Sequence, residues 1–126
     1  MTLAKNIQGK LGEEYAATFL RSQGWQIVEQ NFRIRSGEID IIAIETDQYT
    51  HEKTLVFVEV KTRSSNDFGT PLEAIGYYKL RALIKATQYY KMKNPRLPDL
   101  MRIDAVSVMV DANDKLLDIE LVKNVS

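Results

Sequence analysis

Cysteine is absent from the 126-residue chain, which excludes a disulfide framework, a thiolate nucleophile and any Cys-based zinc or iron–sulfur site. Net charge is missing too. With 17 Lys+Arg against 17 Asp+Glu, the chain cannot coat nucleic acid or an anionic membrane through bulk basic excess, so any phosphate-binding surface has to be local. No apolar run approaches the roughly 18 residues of a membrane span. The start, Met-Thr-Leu-Ala-Lys-Asn, lacks the cationic and apolar regions of a secretion signal; a cytoplasmic protein with no membrane partner is expected. With only 6 Gly and 3 Pro the composition is neither collagen-like nor disordered. Its 44% hydrophobic and 27% charged residues suit one globular domain over 1–126 with a sizeable core.

Ile7, Leu11, Tyr15, Ala16, Phe19 and Leu20 recur at three- and four-residue steps, predicting a helix over 5–23 that stops at Gly24 and is weakened by Gly9 and Gly12. Trp25 to Phe32 reads as a ragged strand. Residues 37–46 (GEIDIIAIET) and 54–63 (TLVFVEVKTR) are β-branched runs around a polar loop containing Tyr49 and His51, the pattern of a hairpin. Thr70-Pro71-Leu72-Glu73 offers a capping box with proline at the first helical position, so a second helix is expected from Pro71 to about Lys93. At 1.5 Å per residue it would span roughly 35 Å. Residues 101–110 and 116–123 read as two further strands around Ala112-Asn113-Asp114. The order αβββαββ predicts an α/β sandwich, a mixed central sheet flanked by helices, with the second helix as the crossover from the third strand to the fourth.

Parity sets the register of the central hairpin. Ionisable groups are even-numbered on the first strand (Glu38, Asp40) and odd-numbered on the second (Glu59, Lys61). A shared face therefore places Asp40 opposite Glu59, Glu38 opposite Lys61, Ile42 opposite Phe57 and Ile44 opposite Leu55. The reverse face, Ile39, Ile41, Ala43, Val56, Val58 and Val60, would be wholly apolar. Two carboxylates directly across a pair, with side chains roughly 5 Å apart, repel each other. A hard divalent cation such as Mg²⁺ relieves that repulsion and prefers carboxylate, water and phosphate oxygens, while a lysine on the same face stabilises an attacking hydroxide or developing charge. The plainer reading is a solvent-facing sheet end with cross-strand Glu–Lys pairing.

These motifs, GEIDIIA and VFVEVKTR, together with Gly9, Gly12-Glu13, Ala16, Gly24, Asn31 and Arg102-Ile103-Asp104, resemble the bacterial YraN-like family. That family is placed in the PD-(D/E)XK, restriction-endonuclease-like superfamily and is similar to archaeal Holliday-junction resolvases. The resemblance implies a restriction-endonuclease-like fold and a DNA endonuclease, acting on branched or damaged DNA, with Mg²⁺ or Mn²⁺ as cofactor. Asp40 is then the motif aspartate, Glu59 the second acid and Lys61 the motif lysine, with Ile39 standing where the superfamily name has proline. The Val60 carbonyl is available from the strand as a further expected metal ligand. Resolvase-like members add a glutamate from the first helix; a resolvase also implies a homodimer, since two strands are cut.

Helical neighbours separate the two candidates for that glutamate. Glu14 keeps the company of Lys10, Thr18 and Arg21, a solvated salt-bridge face. Glu13 is surrounded by Gly9, Ala16, Ala17 and Leu20, a small uncharged surface able to approach the sheet. Glu13 is therefore the expected ligand, against the alternative that it serves the helix start alone.

From Ala74 to Leu97 the chain carries six basic residues and no acid, interleaved with Tyr77, Tyr78, Tyr89 and Tyr90. This segment is +6 and the rest of the chain −6, so neutrality conceals a strong division. Leu72, Ile75, Leu83, Ala86 and Tyr90 form the inner stripe, while Tyr77, Arg81, Lys85 and Gln88 point outward. Lys79 falls inside the stripe and must find an acid or a phosphate. Lys79, Arg81 and Lys85, with Arg33, Arg35 and Arg63 near the strand ends, are the candidate nucleic-acid contacts; ordinary solvated lysines and arginines would look the same. His51, the single histidine, is expected to be merely exposed. The leading expectation is a Mg²⁺-dependent phosphodiesterase acting on DNA, using Asp40, Glu59 and Lys61. The alternative is a non-catalytic nucleic-acid-binding or scaffold protein that keeps the fold.

Overall fold

Helix α1 (Thr2–Ser22) ends where Gly24 takes φ +90°, a left-handed conformation that a side chain resists. The Trp25 N–H returns to the Leu20 carbonyl at 3.1 Å, and the chain enters β1 (Gln26–Ile34), β2 (Gly37–Thr46) and β3 (Lys53–Ser64). Helix α2 (Tyr77–Lys93), β4 (Leu100–Val110) and β5 (Leu116–Val122) follow. This computed structural model describes residues 2–64 and 76–126. The element order is the αβββαββ predicted by the pattern, and the five strands form one mixed sheet in the order β1-β2-β3-β4-β5. Only β3 and β4 run parallel; the other three pairings are antiparallel.

The two faces of the sheet are buried under different helices. Ala16, Ala17 and Leu20 of α1 cover Ile41, Ala43, Val56, Val58, Val106, Val108 and Val110. Leu83, Ala86 and Tyr90 of α2 cover Ile39, Ile42, Ile44, Leu55, Phe57 and Ile103. Burying each large aliphatic or aromatic side chain of this kind stabilises the fold by about 1.5–3 kcal/mol, which is why the β-branched runs become the central strands. Among the described residues no helix is long and apolar enough to cross a membrane.

Register follows the parity argument as far as it pairs: Ile42 meets Phe57 and Ile44 meets Leu55, and the ladder runs from Thr46–Lys53 to Ile41–Val58. There it stops. Glu38 does not lie across from Lys61 in any pairing; it takes Arg33 at 3.4 Å. The expected apolar face is also corrected, because Ile39 packs beneath α2 whereas Ile41 packs beneath α1. Two residues of equal parity on opposite faces mean that the pleat is interrupted between them, at Asp40. The cause lies across the sheet. Gln30 pairs with Ile41 and Phe32 with Ile39, so Asn31 stands level with Asp40, and Asn31 has φ 57°. That conformation is tolerated by Asn better than by most residues. Both strands change face at this point.

The second helix is shorter than expected. It begins at Tyr77, after Gly76 with an extended backbone (ψ 173°), so no continuous helix runs from Pro71 to Lys93. The capping box at Thr70–Glu73 and the stripe residues Leu72 and Ile75 lie outside the described residues, as does the side chain of Ile7. Gly12, expected only to weaken α1, is instead where the helix touches the sheet: a Cβ there would lie 1.7 Å from Thr62 Oγ1. Gly37 performs the same service for α2, since its Cβ would fall 2.9 Å from the Ala82 carbonyl oxygen. His51 is exposed in a loop ordered by Asp47, whose carboxylate accepts the N–H groups of Tyr49 and Thr50 at 2.8 and 2.9 Å.

Candidate functional site

The site grows from the place where β2 and β3 stop pairing. Beyond Ile41–Val58 the Val60 N–H is given to a side chain: Asp40 Oδ2 accepts it at 2.8 Å. Asp40 thus bridges the strands through its carboxylate. Glu59, the residue before Val60, is only 3% exposed and is held by two cations, Lys79 Nζ at 2.7 Å and Lys61 Nζ at 3.7 Å from the same Oε1. Lys61 comes from β3 itself, whereas Lys79 arrives from the first turns of α2, where the close approach at Gly37 and Ala82 lets it reach the sheet. Lys79 therefore does find the acid that its place in the helical stripe requires.

Burial, then the neighbouring charge of Glu59, pushes the Asp40 carboxyl up to about 8, although the Val60 N–H pulls the other way; Glu13 and Glu38 add to the rise. Glu13 is also raised, first by burial and then by Glu38, against a hydrogen bond from the Asn31 side chain that favours its charged form. Burial alone would lower the Lys79 ammonium, but its hydrogen bond to Glu59 and the charges of Glu59 and Asp40 outweigh this and raise it. The picture is one of excess negative charge, partly answered by two lysines.

A cleft of about 580 Å³ collects these groups. Glu13, Asp40, Glu59, Val60, Lys61 and Lys79 line it, beside Gln8, Gly9, Thr62 and Ser64. The three expected ligand acids, Glu13, Asp40 and Glu59, therefore share one cavity with Lys61 and Lys79, whereas Glu38 borders a neighbouring hollow with Gly37 and Ala82. The other expected nucleic-acid contacts stand outside that lining. Arg33 pairs with Glu38, Arg35 borders a separate hollow with Ile34, Ser36 and Tyr89, and Arg81 and Lys85 lie on the outer surface of α2. Arg63 is a half-buried residue near the end of β3.

The acids do not form a ready-made cage. Among the described residues no group of three or more carboxylate, imidazole or thiol side chains is close enough together to hold a metal ion. Their chemistry nevertheless fits a hard cation: every donor is oxygen, and the Glu59 charge that adds to the effect of burial on Asp40 is charge a divalent ion would offset. Two residues of the site had a sequence signal that the helix and strand periodicities pass over. Asn31 combines a kink in β1 with a hydrogen bond to Glu13, and the signal is an asparagine interrupting a strand. Gly12 lets α1 carry Glu13 against β3, and the signal is a small residue preceding an acid on a helix.

The fold and the cleft define a class: a mixed α/β protein with a five-stranded sheet between two helices and, where two central strands diverge, two carboxylates of which one, Glu59, is held by two lysines. The chain belongs to the uncharacterised protein family UPF0102, whose model matches residues 12–108; this is the YraN-like family that the hairpin motifs resemble. Similar relatives are UPF0102 proteins of Caldicellulosiruptor saccharolyticus, 42% identical over 92% of this chain and 93% of the relative, and of Moorella thermoacetica, 35% identical over 98% of both. A third, from Persephonella marina, is 41% identical over 82% of this chain and 84% of its own.

Proposed function

We propose that this protein is a divalent-metal-dependent phosphodiesterase of the restriction-endonuclease-like, PD-(D/E)XK class, acting on DNA. The observation that carries the reading is the Asp40–Glu59 pair, two carboxylates drawn together out of water at the strand divergence with Lys61 and Lys79 on Glu59. Support for the finer fold comes from the αβββαββ order with β3 and β4 as its parallel pair. Asp40, Glu59 and the Val60 carbonyl would hold Mg²⁺ or Mn²⁺, with Glu13 as a further ligand. Such an ion polarises a phosphate and lowers the pKa of bound water.

The chain's own residues have separate tasks. Lys61, on the same strand as Glu59, positions the attacking water. Lys79 has the reach to move from Glu59 to a phosphate oxygen, so that its ammonium would stabilise negative charge on the phosphoryl oxygens. Asp40 holds the two strands at the spacing the cleft needs. Cutting both strands of a branched substrate calls for a homodimer.

A second reading, a nucleic-acid-binding scaffold without catalysis, draws on one observation: Glu59 is already satisfied by lysines. Metal titration and cleavage separate the two. A working site raises the melting temperature with Mg²⁺ or Mn²⁺, and Asp40→Asn abolishes that rise. A panel of linear, nicked, flapped and four-way DNA should be cut by the native protein and not by Lys61→Ala. If neither metal binding nor cleavage is seen, the enzyme reading is wrong.

A further inference from the structure

Two large aromatic side chains stand side by side at the start of α2, largely uncovered among the described residues: Tyr77 is 65% and Tyr78 85% exposed. Single exposed tyrosines are ordinary, but adjacent ones turned toward water leave a sizeable apolar area unused. The rings are arranged, their centroids 5.3 Å apart and their planes at 80°. Arg81, one turn on, donates a hydrogen bond from Nη1 to the Tyr77 hydroxyl at 2.9 Å and lies 5.6 Å from that ring's centre. Tyr77 is thus held in one orientation in advance of any ligand, which lowers the ordering cost of binding.

The position is as informative as the rings. Lys79 follows Tyr78 directly, lines the carboxylate cleft and reaches Glu59 at 2.7 Å, so the pair immediately precedes a cleft residue on the same helix. The helix contains no acidic residue. An aromatic surface flanked by cations on a helix without acids is complementary to a nucleotide: phosphate against Lys79 and Arg81, base against a phenol ring. Bases inside a duplex are stacked on each other and offer no face to a side chain; unpaired bases do.

We propose that Tyr77 and Tyr78 form a stacking platform for unpaired nucleobases beside the cleft, so that the ligand is a nucleic acid with a single-stranded segment next to the phosphate being held. This rests on the phosphodiesterase reading for its purpose, but binding tests it independently. Arg81 is a positioning residue here, acting through Tyr77.

The experiment is fluorescence anisotropy at low salt with a labelled dodecamer of deoxythymidine and a blunt duplex of equal length. It uses the full chain carrying Asp40→Asn, so that cleavage does not intervene, with and without the double substitution Tyr77→Leu/Tyr78→Leu. The single strand should bind about tenfold more tightly than the duplex, and the leucine pair should lose about that factor on the single strand while changing duplex affinity less than about twofold. Tyr77→Phe/Tyr78→Phe should retain most of the affinity, because stacking needs the ring and not the hydroxyl. Both tyrosines are exposed, so circular dichroism should show all variants folded. Equal affinity for the two probes, unchanged single-strand binding by the leucine pair, or no binding of either probe overturns the platform. Single-strand binding lost in the leucine pair, together with no cleavage by the native protein across the DNA panel, would reject the phosphodiesterase reading and leave the platform standing.

Discussion

Asp40 and Asp104 are both withdrawn from water, and what separates them is partnership. Asp104, fully buried, receives Arg102 Nε at 2.7 Å and Nη2 at 2.8 Å and the Asn124 N–H at 2.9 Å. Arg102 in turn reaches Glu45 at 2.7 Å, with its guanidinium carbon 5.8 Å from the centre of the Trp25 ring. That aspartate is structural and complete. Asp40 has one backbone N–H and a surplus of neighbouring carboxylates, and its carboxyl rises to about 8, chiefly through burial and Glu59. Because the folded value lies above the ordinary 3.8, the folded state retains a proton that the unfolded chain releases. The resulting stabilisation is complete below about pH 4 and lost as pH rises toward 8. Without added metal, the melting temperature should therefore fall between pH 5 and 8.5. In Asp40→Asn the fall should be much shallower, since the amide oxygen still accepts the Val60 N–H without a charge. Glu45 and Asp47, held below their usual values, change protonation only in more acidic solution and do not disturb this window. Thermal melts across the range check the point, and equal slopes for the two proteins would remove Asp40 as the cause.

Helices α1 and α2 meet the sheet through missing side chains. Gly12 and Gly9 lie one turn apart on α1 yet differ in surroundings: a Cβ on Gly12 would collide with Thr62, while one on Gly9 meets nothing within 4 Å. Gly12→Ala should destabilise the protein by about 1–3 kcal/mol through overpacking. Gly9→Ala, which only improves helix propensity, should stabilise it by up to about 1 kcal/mol. Urea denaturation of the two variants distinguishes these effects, and matching values would mean that helix propensity alone governs both. Much at this scale was legible in the sequence. Strand pleats repeat every two residues, so parity alone paired Ile42 with Phe57 and Ile44 with Leu55, but the ladder ends at Ile41–Val58, short of the expected Asp40–Glu59 pair. The parity argument fails where a pleat is interrupted, and Asn31 interrupts it; no periodicity announces a left-handed residue inside a strand. Helix α2 failed for another reason. A local capping pattern at Thr70–Glu73 predicted one long helix, but the extended backbone at Gly76 starts the described helix at Tyr77. Lys79 was legible as a cation inside an apolar stripe; that Glu59 would answer it depends on tertiary approach through Gly37.

Over the molecule as a whole, charge and topology are distributed unequally. Helix α2, with five basic residues and no acid, lies over a hairpin that carries Glu38, Asp40, Glu45 and Glu59. Topology determines when the two meet. The β1-β2-β3 meander joins near neighbours in the chain, whereas the parallel β3–β4 ladder joins residues such as Thr54 and Leu100, 46 positions apart. Closing the longer loop has the larger entropic cost, and contacts of low sequence separation form sooner. The hairpin would thus bring Asp40 and Glu59 together in the folding transition state while α2, and with it Lys79, is still undocked. The acid pair is then a barrier to folding as well as a feature of the finished cleft. Refolding in stopped-flow experiments should quicken as pH falls from 8.5 to 5, and a pH effect confined to the unfolding rate would place the hairpin late. On this route the lysine that balances the site is the last of its parts to arrive, and the native state becomes kinetically secure only when α2 has closed over the sheet.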